Sequence, residues 1–290
     1  FRQSYSSLRK DFLKNLTWNF VVWLGKGAFQ TPLDVSPILI LLTKSHESKS
    51  FPACDVSELD TIDKKSNGIK NYQLSSIDPK TQLKNPDHRI TILEIEHEEL
   101  LEKKAEVYQG LRTGDKDQFV LRFWEIGLID SKWEFFRAPN HTDNAFGGMM
   151  DIIFWEQGNG KLFKYAKENR HKLHDMHESG NLAWGNLGVA VNEQGLLVSR
   201  YFGEKFDASV SVIFPNSKND LEALWVYCIS NIFSENVKKL DRKRSVTNAT
   251  YRKIPFDVKH WFEISKAKYP GGLPKPFSND PTQWIFHGHP

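Results

Sequence analysis

The stretch Pro37-Ile38-Leu39-Ile40-Leu41-Leu42 constrains this chain most, because it holds no polar side chain to turn toward water. A run of that length without alternation belongs to a strand buried on both faces, inside a sheet covered by helices. Its neighbours suit that setting. Trp18–Leu24 is β-branched and aromatic, as a strand should be. Ser4–Leu13 sets Tyr5, Leu8, Phe12 and Leu13 on one helical face. Turn-forming residues from Gly25 to Asp34 join the two strands. A helix and two strands cannot enclose such a sheet. Its other strands are therefore expected to precede Phe1, and residues 1–45 read as the last edge of an α/β domain.

The character then changes. Residues 46–108 are rich in polar, turn-forming pieces such as Asp63-Lys64-Lys65-Ser66-Asn67-Gly68, and read as a connector with little chemistry of its own. Within it His88–Ile95 is expected as a short strand and Ile95–Lys104 as an exposed charged helix, with Glu98, Glu99 and Lys103 at helical pairing distances. From residue 109 to 290 the aromatics concentrate into a second globular unit. Strands are expected at Phe119–Ile126 (or a helix start there), Asp151–Trp155, Gly188–Val191, Gly195–Val198 and Ala208–Pro215, and a helix at Lys161–Asn169. Asn219-Asp220-Leu221-Glu222 reads as a capping box opening a long helix whose stripe is Leu221, Leu224, Trp225, Cys228, Ile229, Ile232 and Phe233. The fold class expected is α+β, with a truncated α/β sheet edge at its start.

Nine tryptophans and 39% hydrophobic residues supply apolar surface enough for packed cores. Cys54 and Cys228 lie far apart in sequence and without partners, which excludes a disulfide scaffold and points to a reducing compartment, the cytoplasm. No apolar run approaches the ~20 residues that span a bilayer, so no membrane partner is expected. A net charge of +3 is too small to name a partner, and its distribution has to decide.

Catalytic signatures are missing. No Gly-rich phosphate loop continues into Lys-Ser/Thr, and no Gly-x-Ser-x-Gly elbow occurs. His171, His174 and His177 could share a helical face, yet zinc sites combine separated pairs of ligands with a supporting shell, and a polar surface element is the plainer reading. The basic residues say more. Lys238, Lys239, Arg242, Lys243, Arg244, Arg252 and Lys253 are opposed only by Glu235 and Asp241, with Ser245, Thr247, Asn248, Thr250 and Tyr251 interleaved. Such a set can neutralise phosphates and donate to their oxygens. Favourable interaction with a helix C-terminus would also explain it. Thr113-Gly114-Asp115 is a turn signal that holds Arg112 and Lys116 beside backbone amides, with or without a ligand. Trp184, between glycines and asparagines, is either a stacking platform or a core anchor.

At these same residues the chain resembles the large N6-adenine DNA methyltransferases of the restriction-modification and phage-growth-limitation type. The helix from Tyr5, strand Trp18–Leu24, Gly25-Lys26-Gly27-Ala28-Phe29 and strand Pro37–Thr43 are similar to the end of the family's methyltransferase domain. Gly110–Phe119 with Thr113-Gly114-Asp115 resembles the opening of its target recognition domain. The helix from Leu221, the basic loop and Ile254-Pro255-Phe256 resemble that domain's close. The family's Asn-Pro-Pro-Tyr motif and Gly-rich S-adenosylmethionine loop have no match, so no catalytic or cofactor residue carries over. The resemblance implies a parent protein that methylates adenine N6 with S-adenosylmethionine after flipping the base from the duplex. It makes this chain the part that holds double-stranded DNA, through Arg112, Thr113, Lys116, Trp184, Lys238, Lys239, Arg242, Lys243, Arg244 and Arg252, with the missing methyltransferase half as its partner. A scaffold domain that docks onto another protein, without nucleic acid, is the alternative.

Overall fold

The computed structural model of the chain describes residues 5–31, 35–45, 49–72, 74–92, 99–241 and 245–286. The chain divides into two units, Phe1–His97 with Lys239–Lys243, and Glu98–Lys238 with Arg244–Pro290. Together they make a mixed α+β architecture of three four-stranded sheets among the described residues.

In the first unit α1 (Ser6–Asn15) leads into β1 (Thr17–Trp23), β2 (Ile38–Thr43) and β3 (Phe51–Asp55), followed by α2 (Ile62–Asn71), β4 (Ser75–Ile77) and the single turn α3 (Pro79–Gln82). The sheet order is β2-β1-β3-β4, with β1 antiparallel to β2 and parallel to β3. Leu13, Trp18, Val21, Phe51, Ala53, Ile77 and Ile90 pack on one face, and Val22, Cys54 and Val56 on the other. The strand covered on both faces is thus β1. The expectation that Pro37–Leu42 is doubly buried is corrected: Leu39, Ile40 and Leu41 are 51%, 38% and 57% exposed. As an edge strand β2 pairs only with β1 among the described residues, and reaches the core only through Ile38 and Leu42.

A second correction concerns the connector. Residues 51–92 complete this sheet and its core, because Phe51, Ala53 and Cys54 are buried on β3 beside β1. The strand expected at His88–Ile95 does not form over its described part: His88 ends a 3-10 turn, Pro86–His88, where Asp87 and His88 take positive φ, and residues 89–92 belong to no strand. The charged helix expected at Ile95–Lys104 falls partly outside the described residues. Its described end is a 3-10 turn, Leu101–Lys103, that buries Leu101.

The second unit runs β5 (Ala105–Gln109), α4 (Lys116–Phe119), β6 (Val120–Arg122), β7 (Trp133–Arg137), β8 (Asp151–Phe154), α5 (Lys161–Glu168), α6 (Arg170–Leu173), β9 (Gly188–Asn192), β10 (Val198–Tyr201), β11 (Lys205–Phe206), β12 (Val210–Pro215), α7 (Leu221–Cys228), α8 (Asn231–Leu240), α9 (Asn248–Tyr251) and α10 (Val258–Lys268). One sheet is β10-β9-β12-β5, antiparallel throughout, and the other is β11-β7-β8-β6. Phe119–Ile126 resolves into the end of α4, β6 and a 3-10 turn. The strand expected at Gly195–Val198 starts only at Val198, because Gly195 and Leu196 turn with positive φ.

The long helix expected from Leu221 is two helices. Every residue of α7 from Ala223 to Cys228 is buried, so α7 is a core helix packed on β9 and β12 with α10 against it, and has no polar side. It stops at Ile229. Ser230 donates its hydroxyl to the Tyr227 carbonyl (2.6 Å) and accepts from the Phe233 amide (3.3 Å), resetting the chain for α8. The capping box is not formed. Asn219 and Asp220 lie in a 3-10 turn, and no side chain caps α7. No helix among the described residues is long and apolar enough to cross a membrane.

Candidate nucleic-acid interface

Asp115 caps α4 by accepting from the Gln118 amide (3.2 Å), and Gly114, at φ +81°, provides the left-handed turn before it. That turn presents Arg112 and Lys116 at the rim of a cavity of about 420 Å³. Leu111, Phe136 and Leu173 form its apolar wall, and Thr113, Glu193, Asp207 and Ser209 its polar lining. Arg112 is exposed, and its backbone amide donates to the Met176 carbonyl (2.8 Å). Thr113 is buried. Buried Glu193 accepts from Gln109 Nε2 (2.7 Å) and Ser245 Oγ (3.0 Å). Burial nevertheless pushes its carboxyl above the usual range, against those two bonds and the charge of Arg112, which pull it down.

The cations expected to meet DNA differ in how free they are. Lys116 Nζ sits 3.4 Å from Asp207 and 3.5 Å from Asp151. Arg252 donates Nη2 to the Val107 carbonyl (2.8 Å), lies 3.7 Å from Glu106 and faces the Tyr108 ring at 5.8 Å. Lys253 pairs with Glu102 at 2.9 Å. These residues hold the second unit together. Lys238 is exposed on α8 and Lys239 half-buried, while Arg242, Lys243 and Arg244 lie outside the described residues.

Trp184 has the surroundings of a core anchor. Its indole meets Trp155 edge-on (5.4 Å, 87°), and the Lys205 ammonium lies 4.7 Å from its ring and 4.6 Å from that of Trp155. An indole open to solvent is found instead at Trp124, 54% exposed, with the Arg122 guanidinium 6.0 Å from its ring. The three histidines do not share a helical face. α6 ends at Leu173, His174 turns with φ +51°, and His177 is buried edge-on against Phe163 (5.7 Å). Among the described residues no group of three His, Cys, Asp or Glu could hold a metal ion.

Sequence reasoning passed over an open cationic element beside the cavity. α5 buries Leu162 and Ala166, four residues apart, and leaves Lys161, Lys164, Lys167 and Glu168 exposed on the opposite side. α6 follows at once with exposed Arg170, His171 and Lys172. Its Leu173 is the cavity wall beside Arg112 and Lys116, and packs against Gly114 so closely that a Cβ there would lie 2.5 Å from the leucine Cδ1. The lysine spacing of three, out of phase with Leu162 and Ala166, was the available signal.

The glycines of the first unit do not form a ligand cradle. A Cβ on Gly25 would come within 2.6 Å of Ser57, and one on Gly27 within 2.8 Å of the Asp60 carbonyl oxygen, so this turn is filled by the chain's own backbone.

The sequence matches no family profile and no curated protein. Solved structures are similar to it. The Type IIL restriction-modification enzyme MmeI, in complex with DNA, matches over 94% of this chain and 42% of its own, with a TM-score of 0.52 and 11% identity. A nuclease-deletion mutant of the Type ISP restriction-modification enzyme LlaGI, in complex with a DNA substrate mimic, covers 92% of this chain and 33% of its own (TM-score 0.45, 12% identity). DrdV in its DNA complex covers 97% and 39% (TM-score 0.45, 10% identity). This chain therefore spans less than half the length of each of these three proteins, and what it shares with MmeI at 11% identity is its fold.

Proposed function

We propose that this chain is the DNA sequence-recognition portion of a larger, S-adenosylmethionine-dependent N6-adenine DNA methyltransferase of the restriction-modification type. The observation that carries the reading is the fold shared with MmeI over 94% of the chain, MmeI being a restriction-modification enzyme captured on DNA. The exposed cations beside the Arg112–Lys116 cavity support it, since duplex DNA is gripped first through its phosphates. The sheet β2-β1-β3-β4 is then the edge of a methyltransferase sheet whose further strands belong to the same longer protein. The place of β2 at the end of the sheet supports that, because such a strand offers backbone groups to a further strand, and its exposed Leu39, Ile40 and Leu41 offer apolar faces to covering chain. Methyl transfer itself is assigned to no residue here.

The test is binding of the chain to a labelled duplex of random sequence, by fluorescence anisotropy across a range of KCl. The expected result is an affinity that falls linearly on a log–log plot with salt. Absence of binding at low salt would overturn the reading in favour of a protein-docking domain.

A further inference from the structure

We propose that the exposed face of α5 and α6 is a surface that grips the phosphate backbone of duplex DNA. The inference rests on the DNA-recognition reading and assigns its contact surface. Between Lys161 and Asp175 stand five Lys or Arg residues against Glu168 and Asp175, a local excess of three positive charges in a chain whose total is only +3. The burial of Leu162 and Ala166 directs this excess outward, as an anchored helix with one side free.

Availability separates this strip from the cations first expected to meet DNA: Lys167 and Lys161 lie over the rings of Phe163 (4.3 Å) and Phe154 (5.8 Å), contacts that leave their charge unneutralised. Arg252 and Lys253 are engaged by Val107, Glu106 and Glu102, and Lys116 by Asp151 and Asp207. Binding a phosphate there would first break an internal contact. On the strip Arg170 pairs with Asp175 at 3.1 Å, the two side chains 70% and 67% exposed, a solvated pair that a phosphate can displace at little cost. Lys164 and Lys172 are exposed, and neither pairs with an acid among the described residues. Lysines three apart along α5 advance by roughly 4.5 Å per step, within reach of consecutive phosphates on a duplex strand. The strip also continues into the cavity wall through Leu173, so a backbone held on α5 and α6 brings base edges toward Arg112, whose fork suits guanine O6 and N7.

The experiment compares the chain with K164Q/K167Q/K172Q, and with K259Q/K266Q/K268Q on α10, which removes the same charge from another exposed surface. Binding to a random duplex is measured from 50 to 300 mM KCl, and circular dichroism verifies folding. The strip variant is expected to bind at least about tenfold more weakly at 100 mM KCl, with a salt slope shallower by about 2–3, each lost phosphate contact being worth about 0.9. The α10 variant is expected to change the slope by less than about 1. If the unaltered chain binds and the strip variant keeps its affinity and slope, or the α10 variant loses as much, the strip is refuted while the DNA reading survives. If the unaltered chain does not bind, both fall.

Discussion

Arg137 and Glu204 form an ion pair sealed from solvent, their side chains 0% and 7% exposed. The same guanidinium donates to the Gly147 carbonyl (2.6 Å) and to Ser199 Oγ (2.8 Å). Arg137 closes β7 and Ser199 lies on β10, so this one side chain links the two sheets of the second unit. Removing one partner of such a pair strands a buried charge. Arg137→Met is expected to destabilise the chain by about 3–5 kcal/mol, read from urea unfolding. Arg137→Met combined with Glu204→Met is expected to recover most of that loss. A double variant as unstable as the single one would place the cost elsewhere.

Lys205 sits between the indoles of Trp155 and Trp184 and bonds to Glu134. Lys205→Met keeps the stem's packing but removes the cation. A loss of about 1–2 kcal/mol is expected, with a change in tryptophan emission and no change in the salt slope of DNA binding. A shallower slope would move this lysine from the core to the interface.

Gly114 takes φ +81° against Leu173. Gly114→Ala is expected to cost about 1–3 kcal/mol, because the methyl group meets both an unfavourable backbone conformation and the leucine. Adding Leu173→Ala should relieve the collision but not the backbone strain, which a thermal melt of the two variants can separate.

Glu193 supplies a pH dependence of definite sign. Its folded-state carboxyl is raised by burial, so ionisation disfavours the folded form. Its contribution to stability is fully present below the ordinary carboxylate value of about 4.3 and is lost as pH rises through the folded value above it. In that window the difference in urea midpoint between the wild type and Glu193→Gln should shift against the wild type as pH increases. A difference that is flat with pH would mean the carboxyl is not held up.

The exposed edge of β2 predicts self-association. Leu39→Lys with Leu41→Lys should leave the melting temperature almost unchanged, since both residues are more than half exposed, while lowering light scattering at high concentration. A large drop in stability would show that these residues are buried in solution.

Local pattern was enough for elements whose apolar content matches their burial. β1, β8, β9 and β12, and α5 with Leu162 and Ala166 inward, stand where β-branched and apolar runs or helical spacing put them. The turn at Thr113-Gly114-Asp115 was equally legible, because Gly114 needs positive φ and Asp115 caps α4 through its own side chain. The mixed α+β class follows from the order of these pieces.

Tertiary structure alone decided which strand is central and which cations are free. The runs of β1 and β2 are alike in apolar content, and only pairing with β3 makes β1 the covered strand and β2 the edge. Arg252 and Lys164 are equally basic in one dimension. One is turned by the fold onto Val107 and Glu106, and the other away from Leu162 and Ala166 into solvent. Periodicity records the face a residue takes within its own element, whereas burial and charge pairing depend on neighbours far along the chain, which no local pattern encodes.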